Sequence, residues 1–319
     1  MADTPRAVLL SQEINAIGQL RDEFNIPKQT AHFTFPVGPT LNALFILSVD
    51  NVNWAGRKLM THTPESGWQS SSCLTPSMLF GQLVALFYTE QGLTLSFITA
   101  TTDEKNHAFD KALLAPESEL YFPYPLLNEQ GQEWVAREDQ WSFNKQLVEQ
   151  LDRDELHFRH YCAAFLKPYI KPGSVLYDPA CSTGTFIASL ATAFPNARCI
   201  GSDQSQSMVD YARTQHILPS LRFEHGTAAA MSCFTHTCDV LFLRFLNAEV
   251  VSHADAHALL RCMVKPLKPG ATLIIFGHTP VLINVRYWAN ALGLTLKTSL
   301  AARPEHRELF EFYVLQANP

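Results

Sequence analysis

Apolar and polar positions follow two regimes along this chain, with a change near residue 144. Before it, short patterns of helical and strand period are mixed. In RAVLLSQEINAIGQLRDEF, Val8, Leu9, Ile14, Ile17, Leu20 and Phe24 follow a helical stripe and predict a first amphipathic helix. AHFTFPVG and ALFILSVDNVNWAGRKLMT alternate or run apolar with β-branched and aromatic residues and predict short strands. HTPESGWQSSSCLTP, polar, serine-rich and bounded by prolines, predicts a loop. Thr75 and Pro76 offer an N-cap and first-turn proline for a helix over SMLFGQLVALFYTEQ, which Gly92 ends before a strand LTLSFIT. DEKNHAFDKALLA predicts a further helix, and the proline- and aromatic-rich segment 116–143 predicts a connection between domains, with a pocket wall as its alternative role.

From Asn144 onward helices and strands alternate regularly. NKQLVEQLDRDELHFRHYCAAFLKPYI is helical in two pieces, and Lys171-Pro172-Gly173 stops it before the strand VLYD. A near copy, Lys268-Pro269-Gly270, is expected to stop a later helix before the strand ATLIIFG. Between them lie the strands ARCIGSD, LRFEHG and DVLFLRFL and the helices SMVDYARTQHI and ADAHALLRCMVKPL. Thr279 and Pro280 then open a helix over VLINVRYWANAL, and LTLKTSLA and LFEFYVLQA close the chain as a hairpin. This order predicts an α/β fold, a Rossmann-like, mostly parallel sheet of seven strands with an antiparallel last strand, over residues 144–319. Residues 1–143 form an N-terminal α+β accessory domain in this reading, a substrate cap or a homodimer surface.

Composition narrows the function classes. The 319 residues carry a formal net charge of −6 and no Lys or Arg run longer than two, which argues against a polynucleotide partner and for a small molecule. No apolar run reaches bilayer length and no basic-then-apolar leader opens the chain, so a cytoplasmic protein without a membrane partner is expected. Seven scattered cysteines without a CxxC pair suggest neither a disulfide framework nor a thiolate metal site.

The candidate chemistry centres on VLYDPACSTGTF, a strand, a tight turn and the start of a helix. A dinucleotide pyrophosphate wants glycine N–H groups and no nearby carboxylate. Here GxGxxG is absent, and Asp178 ends the strand where it would repel a pyrophosphate. S-adenosylmethionine carries no phosphate but two cationic centres, and Asp178 suits it better. Asp203 ends the second strand, where a carboxylate can accept both ribose hydroxyls; a helix cap is the alternative reading.

These stretches resemble the motifs of class I S-adenosylmethionine-dependent methyltransferases. VLYDPACSTG resembles the first motif of that family, with Ala180 and Ser182 in place of two of its three glycines and Gly184 retained. CIGSDQSQSMVDYAR resembles the second, FEHGTA the third-strand motif, and DVLFLRFLN with LKPGATLIIFGHT the fourth and fifth strands. The resemblance implies S-adenosylmethionine as cofactor and S-adenosylhomocysteine as its product. It implies that Asp178 contacts the methionine ammonium, that Ala180, Ser182 and Gly184 offer backbone, and that Asp203 with Gln204 takes the ribose. Thr227 and Ala228 would lie by the adenine, and Leu243 or Arg244 would line the pocket. DPACSTGTF also resembles the first motif of adenine-N6 DNA methyltransferases, but RFLNAEV stands where those enzymes need Asn-Pro-Pro-aromatic.

Methyl transfer from a sulfonium is an in-line displacement, so the protein must align acceptor and methyl and, for some acceptors, remove a proton. His278, past strand five, is the first candidate base, with capping or packing as its alternative role. Asn247 stands where many small-molecule O-methyltransferases have a basic histidine, which favours an already acidic or carbon acceptor, or another base; a plain turn residue is its alternative. Tyr161, in the helix before strand one, is a third candidate. HADAH spaces His253 and His257 one helical turn apart but supplies no third ligand, so no metal is expected. The resulting expectation is a methyltransferase for a small-molecule metabolite. Its rivals are a protein or RNA methyltransferase with an N-terminal docking domain and a non-catalytic subunit of the same fold.

Overall fold

A reversal at Asp50 and Asn51, both with left-handed φ (50° and 62°), folds LFILSV back onto VNWAGR and seeds an antiparallel sheet. The computed structural model describes residues 11, 13–63, 67–70, 72–115, 117–128, 130–231, 237–303 and 306–318. Val8, Leu9 and Cys233 lie outside them. The chain divides into two compact units, Met1–Glu133 with Ser299–Glu311, and Trp134–Thr298 with Phe312–Pro319.

In the first unit, α1 (13–18) runs into a π turn (Gln19–Glu23) and is followed by β1 (Thr30–Pro36), β2 (Leu44–Val49) and β3 (Val52–Arg57). Then come β4 (Met60–Thr63), β5 (Gly67–Ser70), β6 (Leu79–Thr89), β7 (Gly92–Thr99), α2 (Thr102–Leu114) and β8 (Glu119–Tyr121). Six of these strands form an antiparallel sheet in the order β1-β7-β6-β3-β2-β8. Leu44 and Ile46 of β2 pack with Leu20, Phe24, Phe80 and Phe97 on one face. Phe45, Leu47 and Val49 pack with Ala108, Phe109 and Ala112 of α2 on the other, which is why LFILSV reads as an almost unbroken apolar run. A Thr101–Glu104 capping box starts α2.

Two expectations are corrected here. SMLFGQLVALFYTEQ is not a helix: Pro76 starts only a 3-10 turn (Pro76–Met78), and Leu79–Thr89 is β6, paired with β7 over Gly81–Thr89 and with β3 over Leu79–Gln82. Its leucines and alanine favour a helix locally, but two neighbouring strands decide otherwise. The loop expected over HTPESGWQSSSCLTP (62–76) instead contributes the end of β4 and all of β5 to a two-stranded ribbon.

The second unit carries α3 (Lys145–Asp154), α4 (Leu156–Leu166), β9 (Val175–Asp178), α5 (Thr185–Ala193), β10 (Arg198–Asp203), α6 (Gln206–Gln215) and β11 (Leu221–His225). It continues with α7 (Ala228–Met231), β12 (Cys238–Leu243), α8 (His253–Met263), β13 (Leu267–Ile275) and α9 (Val285–Ala291), followed by β14 (Leu294–Ala302) and β15 (Leu309–Ala317), whose residues from Ser299 to Glu311 count with the first unit. The predicted α/β sheet is present, in the order β11-β10-β9-β12-β13-β15-β14, parallel through β13, with β15 antiparallel to it. The rings of Phe158, Phe186, Phe242, Phe276 and Phe312 form a chain of contacts with centroids 4.6–5.5 Å apart that ties α4 and α5 to the sheet.

Two boundaries differ from expectation. Lys268-Pro269-Gly270 does not stop a helix but lies inside β13, where the pairing with β12 shifts register and Gly270 takes φ 74°. The helix after β13 starts at Val285 with Asn284 as its cap, since residues 280–282 are held by Leu246 and Ala248 instead.

Between β9 and α5 the chain turns on Ser182 (φ 48°) and Gly184 (φ 76°). A Cβ on Gly184 would lie 2.6 Å from the Phe223 ring and 2.8 Å from the Ala212 Cβ. Gly184→Ala combines a left-handed backbone with this overlap and is expected to destabilise the protein by about 2–4 kcal/mol, measured by urea unfolding.

Candidate active site

The turn after β9 and the segment after β12 face each other across the point where strand order reverses, between β9 and β12. In open α/β sheets that crevice is where ligands bind. A cavity of about 320 Å³ lies here within the second unit.

Arg244 organises one wall. Its Nε donates to Asp178 Oδ2 at 3.0 Å, its Nη1 to Glu155 Oε1 at 2.6 Å and its Nη2 to the Ala180 carbonyl at 3.4 Å. The guanidinium also sits 4.7 Å from the centre of the Phe186 ring. Glu155 reaches it because the helical segment breaks there, between α3 and α4. Burial works against the Arg244 cation, but Asp178 and Glu155 more than offset it and hold the group above its ordinary value. Burial pushes Asp178 up to about 6, against the pull of Arg244. With both acids ionised the cluster carries one net negative charge.

Asp203 forms the second fixed point. Its Oδ2 accepts from Ser182 N and its Oδ1 from Ser205 N, each at 2.8 Å, so one carboxylate pins the turn after β9 to the loop after β10. Burial raises its pKa, while the Ser205 and Ser182 amides oppose the rise. Asp203 does not cap α6, whose N-cap residue is Ser205, and each of its oxygens keeps a lone pair that a ribose hydroxyl can use. Ser182, where glycine was displaced, has the positive φ that glycine would adopt without strain, and its amide is held by Asp203.

The cavity brings together Ala180, Ser182, Asp203, Gln204, Thr227, Ala228, Arg244, Asn247 and His278. Asp178, with no exposed surface, stands behind Arg244 and does not line it; nor do Leu243 and Gly184. Tyr161 is also absent from the wall, its ring packing on Phe312 (4.8 Å) and stacking on Phe165 (6.3 Å). Of the aromatic connection, Ala136, Glu138 and Trp141 line the cavity. Glu155, Glu249 and Thr279 also line it; the sequence marks Thr279 only as a helix cap and gives the two glutamates no signal beyond their type.

Asn247 is held rigidly. Its Nδ2 donates to Thr279 Oγ1 at 2.7 Å, and Thr279 Oγ1 donates onward to the Ala248 carbonyl. Since the Thr279 proton is committed to that carbonyl, Asn247 must present its amide nitrogen to Thr279, which leaves Oδ1 as an acceptor. Among the described residues Asn247 Oδ1 and Trp141 Nε1 are buried without hydrogen-bond partners. A bound molecule can complete both, one by donating and one by accepting.

The donor set suits S-adenosylmethionine. Glu138, Glu155, Asp203 and Glu249 outnumber Arg244 along the cavity, which favours a ligand of net positive charge. Two carboxylate oxygens on Asp203 suit a ribose diol, and nothing in the turn resembles a pyrophosphate cradle. Among the described residues no group of His, Cys, Asp and Glu could hold a metal ion, and no helix is long and apolar enough to cross a membrane.

Comparison with known proteins gives the following. Residues 176–270 match a family described as a methyltransferase domain. The chain is 31% identical over 280 residues to isonocardicin synthase of Nocardia uniformis subsp. tsuyamanensis, covering 86% of this chain and 91% of that one. It is 34% identical over 105 residues to trans-aconitate 2-methyltransferase of Deinococcus radiodurans, covering 33% of this chain and 38% of that one. Among solved structures, an Aquifex aeolicus SAM-dependent methyltransferase aligns with 17% identity and a TM-score of 0.44, over 54% of this chain and 98% of that one. Magnesium protoporphyrin IX methyltransferase from Synechocystis, solved with bound SAM, aligns with 16% identity and a TM-score of 0.40, over 50% and 78%.

Removing Arg244 while leaving its acids strands two carboxylates in the interior. Arg244→Leu is expected to lose about 3–5 kcal/mol of unfolding free energy. Arg244→Leu combined with Asp178→Asn should recover part of that loss in the same denaturation experiment.

Proposed function

This chain belongs to the class I S-adenosylmethionine-dependent methyltransferases, and on that premise we propose that its acceptor is a small-molecule metabolite carrying both a hydrogen-bond donor and an acceptor. The observation that carries this reading is the pair of buried, unpartnered groups on the cavity wall, Asn247 Oδ1 and Trp141 Nε1. Two such groups discriminate among small molecules, because a ligand that fails to match them leaves a buried polar atom unsatisfied. The acidic walls and the net charge of −6 add to the case against a polynucleotide acceptor. The relatives point the same way: one is named for the synthesis of isonocardicin and the other for the methylation of trans-aconitate.

When bound, S-adenosylmethionine supplies a methyl group activated by its sulfonium. Asp203 and Gln204 would hold the ribose, and Thr227 and Ala228 would border the adenine. The Glu155–Arg244–Asp178 cluster, one negative charge in excess, would favour the ligand's cationic end. Asn247 Oδ1 orients an acceptor N–H or O–H, and Trp141 Nε1 donates to an oxygen elsewhere on the same molecule. His278, also on the wall, takes the acceptor proton where the acceptor is a hydroxyl or amine.

Incubating the protein with methyl-deuterated S-adenosylmethionine and a small-molecule extract should put the label on an extract component and release S-adenosylhomocysteine, both followed by mass spectrometry. Label appearing only in protein or RNA overturns the small-molecule acceptor, and cofactor consumption without S-adenosylhomocysteine overturns methyl transfer.

Asp203→Ala should weaken S-adenosylmethionine binding by at least about tenfold in calorimetric titration. Affinity is also expected to depend on pH. Asp178 takes up a proton as pH falls through about 6, the cluster becomes neutral, and a net-positive ligand loses attraction. Asp203, also raised, acts in the same direction. Calorimetry from about pH 7 to about pH 5 should therefore show roughly tenfold weaker binding at the acid end, a trend that Asp178→Asn flattens.

A further inference from the structure

The first unit contains a cavity of about 420 Å³ that plays no part in the site above. Ile17, Leu20, Leu59 and Pro76 form its apolar side, and the rest of its wall is polar, with Asn25, Thr102 and Asn106 beside Lys105 of α2. Lys105 is only 2% exposed. Its Nζ has one hydrogen-bond partner, the Phe24 carbonyl at 3.3 Å, and among the described residues no carboxylate pairs with it. Burial alone draws this amine down to about 8, so it is still largely a cation at neutral pH.

Phe24 closes the π turn after α1, so Lys105 caps that helical end. Capping uses one of three N–H donors and leaves the charge uncompensated beside a cavity. The other cation on the wall, Arg21, is committed to Asp22 at 2.7 Å and its side chain is 74% exposed. One buried positive charge on a wall that carries no carboxylate matches one negative charge. A dianion such as phosphate would bury a second charge without a partner.

We infer that this cavity binds a monocarboxylate with an apolar body, its carboxylate paired with Lys105 and its body against Ile17, Leu20, Leu59 and Pro76. Such a ligand completes the ammonium's donors and covers apolar walls in the same step. The site is independent of the methyltransferase reading, and neither stands or falls with the other.

The test titrates 4-phenylbutyrate, and its neutral counterpart 4-phenylbutan-1-ol, into the full chain with and without saturating S-adenosylmethionine. The acid is expected to bind one per chain and to raise the melting temperature in either condition. The alcohol should bind at least about tenfold more weakly. Lys105→Met, which keeps the side-chain volume and removes the charge, should lose at least about tenfold in affinity for the acid while still binding S-adenosylmethionine. Should that variant not fold, Ser77→Trp, at an exposed position on the cavity, is expected to block the acid by filling the space. Absence of binding to the wild type, equal binding of acid and alcohol, or undiminished binding by the variant that folds overturns the proposal.

Discussion

The second unit is organised around one buried cation. Arg244, leaving β12, joins the end of β9 through Asp178, the break between α3 and α4 through Glu155, and the start of α5 through the face of Phe186. Three charged groups out of water are expensive to hold, and their mutual attraction offsets that cost only while the geometry is kept. The cluster therefore ties four elements together at the place where the sheet opens. It also sets the electrostatics of the cavity, because an excess of one carboxylate persists after the cation is neutralised.

Asp203 complements it from the neighbouring strand. By accepting two backbone amides it fixes the shape of the turn after β9, and that turn then needs fewer glycines than the sequence resemblance suggests. Ser182 tolerates φ 48° because its N–H is bound, and Gly184 remains glycine because Phe223 and Ala212 leave no room for a Cβ. The substitution pattern in the first motif thus has a local physical cause, which the residue types alone do not reveal.

The first unit is less legible in its sequence, for a reason that β6 makes plain. LFGQLVALFYT lacks β-branched residues apart from one valine and the terminal threonine, follows a proline that starts a turn, and carries helix-favouring leucines and alanine. Hydrogen bonding to β7 over Gly81–Thr89, with β3 on the other side of Leu79–Gln82, outweighs those preferences, since the sheet supplies partners for backbone groups that a helix would otherwise have to satisfy. The same competition explains β13, where Lys268-Pro269-Gly270 has the composition of a helix stop but is taken up as a bulge against β12.

What the sequence by itself determined is the alternation of helices and strands after residue 144, the α/β class, and the two acids at the ends of β9 and β10. These are legible because burial on both faces of a parallel sheet leaves unbroken apolar runs, and because an acid at a strand end is a local feature. Only the tertiary structure decided what each acid does. Asp178 lies behind Arg244 rather than on the cavity wall, Tyr161 faces the aromatic packing, and Glu155, Trp141 and Thr279 join Asn247 and His278 around the cavity. Such groups are far apart in the chain and come from helices, a connecting segment and strand ends. Their meeting depends on strand order and on the break at Glu155, and no periodicity along the chain encodes either.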